Sequence, residues 1–413
     1  MAVLLQQLYL NNEKTMSDLR IEDGKIVEIA QSIAPREGET VERFGGKLAL
    51  PPFIESHVHL DACLTVGDPA FNLSGTLFEG ISLWSRRKEK LTKQDVRERV
   101  LRAAQMLCRN GVQYVRTHVD VTDPKLTAME ALLELRQELR DRIEIQIVAF
   151  PQEGILSYPN GKQLMTDAVA MGADAVGAIP HFEFTREYSV ESLNFAVALA
   201  EKYGRLVDVH CDEIDDEASR GLETLAARAY ESGLKSRVTA SHTTAMHSYN
   251  NAYVVRLMRL LTMSEINFVS NPLVNTHLQG RMDTYPKRRG VTRVKELTEA
   301  GLNVSFGHDD IRDPWYPMGT GSMRDVVFLG LHVCQMMGYE EIQNSYRFIC
   351  DNAARTLCLP EGSYGLRPGN EANLVILDAK DWYDALSLNA PVLRSIRKGA
   401  VIARTTPARY ETL

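Results

Sequence analysis

Residues 55–61 read Glu-Ser-His-Val-His-Leu-Asp and lie at the end of an apolar run that starts at Leu48. Alternate residues of a β-strand point to the same face, so a strand here would place the imidazoles of His57 and His59 side by side. Two neutral imidazoles in this arrangement can share one divalent metal ion. The same pattern also occurs by chance or in a polar surface strand, so its meaning depends on where the strand lies in the fold.

Seven further short apolar runs follow along the chain, each succeeded by a longer stretch with helical spacing. The eight predicted strands are residues 48–59, 113–120, 143–150, 175–181, 206–211, 237–242, 266–271 and 302–309. Predicted helices such as 93–110 and 189–203 end at Gly111 and Gly204, since glycine readily adopts the left-handed conformation that closes a helix. Eight strand–helix units predict an α/β fold of the (β/α)8 TIM barrel type.

The C-terminal strand ends of such a barrel carry its active site. At these ends the sequence places polar side chains: His57, His59, His118, Asp120, His181, His210, His242, Asn271, His308 and Asp309. Most of the ten histidines of the chain are therefore expected on one face of the barrel. This clustering favours the metal-site interpretation of residues 55–61 over the chance one.

The two ends of the chain predict a second, smaller β unit. Residues 1–50 contain short alternating runs broken at Asp23-Gly24, a strong hairpin signal, and residues 372–378 and 391–404 return to short strands. We expect these segments to pair in a small β-sandwich built from both termini. The predicted domains are residues 1–50 plus 360–413 for the sandwich and residues 51–359 for a metal-dependent hydrolase barrel.

Composition excludes several classes of protein. The chain is 44% hydrophobic and 24% charged, which is typical of globular domains and not of disordered ones. Its net charge of −7 and pI near 5.9 disfavour nucleic acid as a partner. The six cysteines include no Cys-x-x-Cys pair, and neither a signal peptide nor a transmembrane segment is recognisable. We expect a cytoplasmic protein with reduced thiols and no membrane partner.

Two strand ends offer groups that could move protons. Glu213 lies three residues beyond His210, in the loop over the barrel mouth, although it could instead be one more solvated acid of the run 212–217. Asp309, after the eighth strand, could bind a metal and accept a proton from its water. Other motifs fail: His181-Phe182-Glu183 lacks the Pro-Cys-x-x-Cys partner of the zinc nucleoside deaminases, and no dinucleotide or Walker A motif is complete. His247, His277 and His332 lie away from the strand ends and are interpreted as ordinary loop or packed residues.

This arrangement of ligands on a barrel with a terminal β-sandwich resembles the amidohydrolase superfamily. Further motifs resemble the bacterial cytosine deaminases of that superfamily: 150–154 (Phe-Pro-Gln-Glu-Gly), 180–186 (Pro-His-Phe-Glu-Phe-Thr-Arg), 209–213 (Val-His-Cys-Asp-Glu), 241–247 (Ser-His-Thr-Thr-Ala-Met-His), 307–310 (Gly-His-Asp-Asp) and 313–317 (Asp-Pro-Trp-Tyr-Pro). The similarity runs through nearly the whole chain.

The resemblance implies a role for each site residue. The implied ligands of one divalent metal ion, iron(II) or zinc, are His57, His59, His210 and Asp309. The implied proton-handling residues are Glu213, His242 and Asp309, and the implied substrate contacts are Gln152, Asp310 and Trp315. The fourth strand offers no lysine to bridge two metals, which is consistent with one ion. The resemblance also suggests a homo-oligomer.

These residue types fit a hydrolytic deamination. A divalent metal lowers the pKa of bound water from about 15.7 toward about 7, so that hydroxide is available at neutral pH to attack an sp² carbon bearing an amino group. Glu213 is placed to move the water proton to N3 of cytosine, Asp309 to carry the second proton to the departing amine, and His242 to stabilise the tetrahedral oxygen. The expected products are uracil and ammonia, a reaction of pyrimidine salvage.

Three interpretations remain open from the sequence. The first is cytosine deamination. The second is another reaction on the same scaffold, namely deamination of isoguanine or 5-methylcytosine or hydrolysis of a cyclic amide; Gln152 and Trp315 favour an aminopyrimidine. The third is a catalytically inactive barrel kept as a binding module, which should have lost ligands that this chain retains. The sequence leaves the metal open as well, because three histidines and an aspartate also accept manganese or cobalt.

Overall fold

The computed structural model describes residues 2–408 and residue 411. In this part of the chain the strands are β1 (Val3–Leu10), β2 (Met16–Glu22), β3 (Lys25–Ala30), β4 (Thr40–Leu50), β5 (Phe53–Val58), β6 (Val112–Asp120), β7 (Glu144–Phe150), β8 (Ala175–Val176), β9 (Leu206–Cys211), β10 (Val238–His242), β11 (Asn267–Ser270), β12 (Val304–Phe306), β13 (Leu374–Leu377), β14 (Val392–Arg397) and β15 (Ala400–Arg404). The α-helices are α1 (Leu77–Lys88), α2 (Lys93–Arg109), α3 (Thr127–Leu139), α4 (Gly161–Met171), α5 (Arg186–Tyr203), α6 (Gly221–Ser232), α7 (Asn251–Ser264), α8 (Pro272–Leu278), α9 (Val294–Glu299), α10 (Met323–Val333), α11 (Tyr339–Asn344), α12 (Asp351–Thr356) and α13 (Trp382–Ser387).

Strands β5 to β12 form the barrel, with neighbours hydrogen-bonded in sequence order. Strand β5 and the loop that follows β12 meet at a parallel bridge between Val58 and Asp309. The amide of Asp309 donates to the carbonyl of His57 at 2.8 Å, and the amide of His59 donates to the carbonyl of Asp309 at 3.2 Å. The barrel therefore closes at the predicted metal ligands themselves, which brings the eighth strand end beside the first. The predicted (β/α)8 barrel is confirmed.

The remaining strands form a second sheet to which both ends of the chain contribute. Its order is β15-β14-β13-β4-β1-β2-β3, and it is mixed, since β1 pairs in parallel with β4 while the other pairs are antiparallel. Asp23 and Gly24 make the predicted two-residue turn, both with positive φ angles of 48° and 78°. The predicted small β unit from both termini is confirmed, and its seven strands form one continuous sheet.

Three predicted strands differ from the structure by more than one residue at an end. The run 48–59 is divided, because Pro51 and Pro52 have no amide hydrogen to extend a ladder; residues 48–50 end β4 in the terminal sheet, and β5 begins at Phe53. The run 175–181 contributes only the two residues of β8 before a 3₁₀ helix starts at Pro180. The run 302–309 contributes only β12, so Asp309 lies in the loop that follows the strand.

The predicted helices 93–110 and 189–203 correspond to α2 and α5. Thr92 and Thr185 cap their first turns by accepting hydrogen bonds from the amides of Asp95 and Tyr188. Gly204 ends α5 in the left-handed conformation, with φ of 65°. Among the described residues, no helix combines the length and apolar character that crossing a bilayer requires.

Candidate active site

Three buried histidines converge at the barrel mouth. Nε2 of His210 lies 3.2 Å from Nε2 of His57 and 3.0 Å from Nε2 of His59. Oδ1 of Asp309 lies 3.5 Å from Nε2 of both His57 and His59. The four side chains predicted as ligands are thus brought together around one point: His57 from β5, His59 directly after β5, His210 from β9 and Asp309 from the loop after β12.

This donor set fits a divalent metal ion. Zinc–nitrogen and zinc–oxygen bonds are about 2.0–2.2 Å long, so neighbouring ligand atoms around one ion lie roughly 3.0–3.5 Å apart, as they do here. Burial lowers the pKa of His57, His59 and His210 well below the usual value, which keeps the imidazoles neutral and their lone pairs free. Such lone pairs repel one another at 3.0 Å unless a cation or a proton lies between them. The geometry therefore suits one shared ion.

His242 and Glu213 lie on the other side of this cluster. Nδ1 of His242 is 3.1 Å from Oε1 of Glu213 and 3.8 Å from Oδ2 of Asp309. Burial lowers the pKa of His242, but the charges of Glu213 and Asp309 outweigh it, so the pKa is raised overall. A protonated imidazole between two carboxylates can donate to a developing oxyanion, which is the role predicted for His242. Its Nε2 is also 3.3 Å from Nε2 of His57, so His242 borders the ligand cluster directly.

Two of these residues have a backbone conformation that is unfavourable for a side chain. His242 and Asp309 have φ angles of 66° and 70°, in the left-handed region that non-glycine residues rarely occupy. Such strain is concentrated at functional sites, where the surrounding structure imposes it. Here the strain turns both side chains inward at the ends of their strands.

Gln152, Asp310 and Trp315 line a small cavity above the cluster. The cavity measures about 20 Å³ and is bounded by His59, Leu77, Gln152, His210, Glu213, His242, Leu278, Asp309, Asp310 and Trp315. All three predicted substrate contacts are thus placed together beside the proposed metal ligands and Glu213. A space of this size accommodates about one water molecule, and the cavity is partly open to the surface.

The acids beside Trp315 form a buried pair. Burial raises the pKa of Asp310 well above its usual value, and it raises the pKa of Asp313 to about 6. Asp313 accepts hydrogen bonds from the amides of Trp315 and Tyr316, both at 3.0 Å. Asp313 thereby orders the loop that carries the tryptophan, and Asp310 adds a polar group to the cavity wall.

Sequence reasoning did not single out several residues that shape the site. The amide Nδ2 of Asn275 lies 3.0 Å from Nδ1 of His242 and donates to Oε1 of Glu213 at 3.4 Å. Glu55 accepts hydrogen bonds from the amides of His57 and His308, at 3.0 Å and 2.9 Å, and so ties the first strand to the eighth. Asn275 lies on α8, inside an ordinary helical pattern, and no local signal distinguishes it. Glu55 belongs to the motif at residues 55–61, but the sequence did not indicate its role in joining the two strands.

The other histidines at strand ends surround the cluster without joining the predicted ligand set. The ring of His118 packs against that of His57 with centroids 3.8 Å apart, and its Nε2 is 3.4 Å from Oδ1 of Asp208. His181 accepts a hydrogen bond through Nδ1 from the amide of Glu213 at 3.2 Å. Burial lowers the pKa of His181 to about 4, so this nitrogen remains an acceptor at neutral pH.

A barrel with such a cluster at its mouth is characteristic of metal-dependent hydrolases, and comparison with known proteins defines the class. The model of the amidohydrolase family matches residues 45–406, and the chain belongs to this family.

Individual proteins are also similar along the whole chain. The structure of 5-methylcytosine deaminase from Klebsiella pneumoniae liganded with 5-fluorocytosine is 52% identical, with a TM-score of 0.96, and the match covers 100% of this chain and 99% of that one. The same enzyme liganded with phosphonocytosine gives a TM-score of 0.95 at 52% identity, with 100% of both chains covered. N-isopropylammelide isopropyl amidohydrolase from Pseudomonas sp. (strain ADP) is 28% identical over 412 residues, covering 97% of each chain.

Proposed function

We propose that this protein catalyses the hydrolytic deamination of a cytosine ring, with cytosine and 5-methylcytosine as the candidate substrates. The observation that carries the proposal is the cavity in which Gln152, Asp310 and Trp315 face Glu213 and the cluster of three histidines and Asp309. The 52% identity to a 5-methylcytosine deaminase supports the same class of substrate.

One divalent metal ion, iron(II) or zinc, fits His57, His59, His210 and Asp309. When bound there, it supplies Lewis-acid chemistry that makes water acidic enough to yield hydroxide near neutral pH. Glu213 takes the proton of the attacking water and passes it to N3 of the ring, which makes C4 electrophilic. His242 donates to the oxygen that develops on C4. Asp309 delivers the second proton to the amino group, so that one water and one cytosine give one uracil and one ammonia.

Release of ammonia, or of isopropylamine in the case of N-isopropylammelide, from a panel of substrates tests this function. The protein reconstituted with iron(II) or zinc would be given cytosine, 5-methylcytosine, isoguanine and N-isopropylammelide. We expect ammonia together with uracil or thymine from the cytosines, at a kcat/KM at least tenfold above that for the other compounds. Preferential turnover of isoguanine or N-isopropylammelide would contradict the proposal.

We expect Gln152→Leu to raise the KM for the pyrimidine by roughly tenfold to a hundredfold. The side-chain amide offers one donor and one acceptor, which match the adjacent N1–H and C2 carbonyl of cytosine, and each lost hydrogen bond weakens binding by about 0.5–1.5 kcal/mol. Steady-state kinetics would measure the change, with Gln163→Leu, an exposed glutamine on α4, as the matched control. An unchanged KM in Gln152→Leu would place recognition of the ring elsewhere.

We expect Asp310→Ala to shift preference toward 5-methylcytosine. Asp310 is buried in the cavity wall next to Asp309, where a polar side chain contacts an added methyl group poorly. Burying one methyl group is worth about 0.8 kcal/mol, so the ratio of kcat/KM for 5-methylcytosine over cytosine should rise roughly fourfold. Glu217→Ala, an exposed acid, should leave the ratio as in the parent protein. A constant ratio in Asp310→Ala would remove Asp310 from the surroundings of C5.

A further inference from the structure

A buried carboxylate at the end of β6 connects one wall of the cavity to another. Oδ1 of Asp120 accepts hydrogen bonds from the amides of Gln152 at 3.3 Å and Thr122 at 2.8 Å. Oδ2 of the same residue accepts from the indole of Trp84 at 2.9 Å and from Nζ of Lys88 at 3.0 Å. One side chain thus contacts both the backbone that carries Gln152 and two residues of α1.

Lys88 secures this connection at the C-terminal end of α1. Its side chain is only 9% exposed, and its ammonium donates to Asp120, to Thr122 at 2.6 Å and to Glu153. Burial lowers the pKa of Lys88, but Asp120 and Glu153 outweigh this effect and raise it overall. A buried charge is tolerated only when it is paired and hydrogen-bonded. Removing Lys88 leaves Asp120 without this cationic partner, and removing Asp120 leaves Lys88 with Glu153 as its one carboxylate partner among the described residues.

Helix α1 also forms the roof of the cavity. Leu77, at its start, lines the cavity directly. The ring centroids of Trp84 and Trp315 are 6.4 Å apart. A Cβ atom placed on Gly80 would clash with Cδ1 of Trp315, so helix and indole are in close contact. The position of α1 therefore determines where Leu77 and Trp315 lie above the ring site.

We propose that Lys88 and Asp120 are positioning residues. They fix the position of helix α1 relative to Gln152 and thereby set how tightly the pyrimidine ring is bound. The proposal rests on the proposed function for its substrate. Leu77 and Trp315 both line the cavity, so the position of α1 sets the space that a ring can occupy there. A fixed C-terminal end of α1 keeps these two side chains in place to contact the ring.

Kinetics of Asp120→Asn and Lys88→Met test the proposal. In each variant we expect KM to rise about tenfold, kcat to stay within about threefold and metal content to be unchanged. The KM of the double variant should not exceed that of the more strongly affected single variant, because both changes break the same connection.

Asp174→Asn is the matched control. Asp174 likewise accepts a hydrogen bond from a backbone amide, that of Ile147, and pairs with Arg136, but it contacts no residue of the cavity. An unchanged KM, a loss of metal, or fully multiplicative effects in the double variant would overturn the proposal.

Hydrogen exchange gives a second readout that does not require turnover. Exchange should become faster in residues 77–88 and 150–153 of the variants and remain unchanged in the rest of the barrel. If the parent protein released no ammonia from either cytosine, the proposed function would fail, and exchange alone would decide whether the anchor exists. Unchanged exchange, or faster exchange throughout the chain, would overturn it. Should Asp120→Asn fold poorly, Trp84→Phe, which removes the indole donor to Asp120 and keeps a smaller aromatic ring in the same buried position, should give the same pattern with a KM increase of about threefold.

Discussion

Replacing His57 by alanine is expected to abolish both metal content and turnover. His57 is fully buried, and its Nε2 lies within 3.5 Å of the ligand atoms of both His210 and Asp309. Its loss therefore removes one of the four proposed metal ligands. His59, His210 and Asp309 would remain, and without the imidazole that lies close to both His210 and Asp309 we expect them to hold the ion far more weakly. We expect metal below about a tenth of an equivalent and kcat reduced by at least about 10³-fold, measured by elemental analysis and ammonia release.

The exposed His332 provides the control for this experiment, since His332→Ala removes a histidine without touching the site. That variant should bind one equivalent of metal and retain the activity of the parent protein. Full metal occupancy with normal activity in His57→Ala would show that the ion is held elsewhere. His242 would then be the first alternative ligand to examine, because its Nε2 is 3.3 Å from that of His57.

Glu213→Gln is expected to separate proton transfer from metal binding. Glutamine has nearly the same size and still accepts hydrogen bonds from Asn275, but it cannot take a proton from water. We expect kcat to fall by roughly 10²-fold or more while metal content stays at one equivalent. Glu217→Gln, an exposed acid four residues further along the same loop, should have neither effect. Loss of metal along with activity in Glu213→Gln would instead identify Glu213 as a ligand.

The sequence predicted the barrel well because the eight apolar runs and their polar ends reflect the fold directly. A parallel barrel buries both faces of each strand, so its strands appear as nearly continuous apolar runs. Their C-terminal ends meet at one face, and for this reason His57, His210 and Asp309 could be grouped without any knowledge of distances. The structure adds that the closing bridge at Val58 and Asp309 forms part of the site.

Residues that act through tertiary packing were not predictable in the same way. Leu77 of α1 and Leu278 of α8 line the cavity. An apolar residue in an amphipathic helix normally indicates packing against the core and not contact with a ligand. The sequence showed Asp120 only as a polar residue at a strand end. The five hydrogen bonds that its carboxylate accepts come from α1 and from residues that follow two different strands, and no local sequence pattern indicates them. The first barrel strand was predicted to begin before Pro51 and the fourth to extend past Pro180, although both prolines mark the interruptions.

The most direct test of the central claim is to follow one cytosine ring through the reaction in ¹⁸O-labelled water, using metal-reconstituted and metal-stripped protein side by side. Hydrolytic deamination predicts one ammonia per ring, with one ¹⁸O atom at C4 of the uracil or thymine formed, and no reaction after the metal is removed. Equal turnover by the stripped protein, product without ¹⁸O, or no product from either cytosine or 5-methylcytosine would contradict the account.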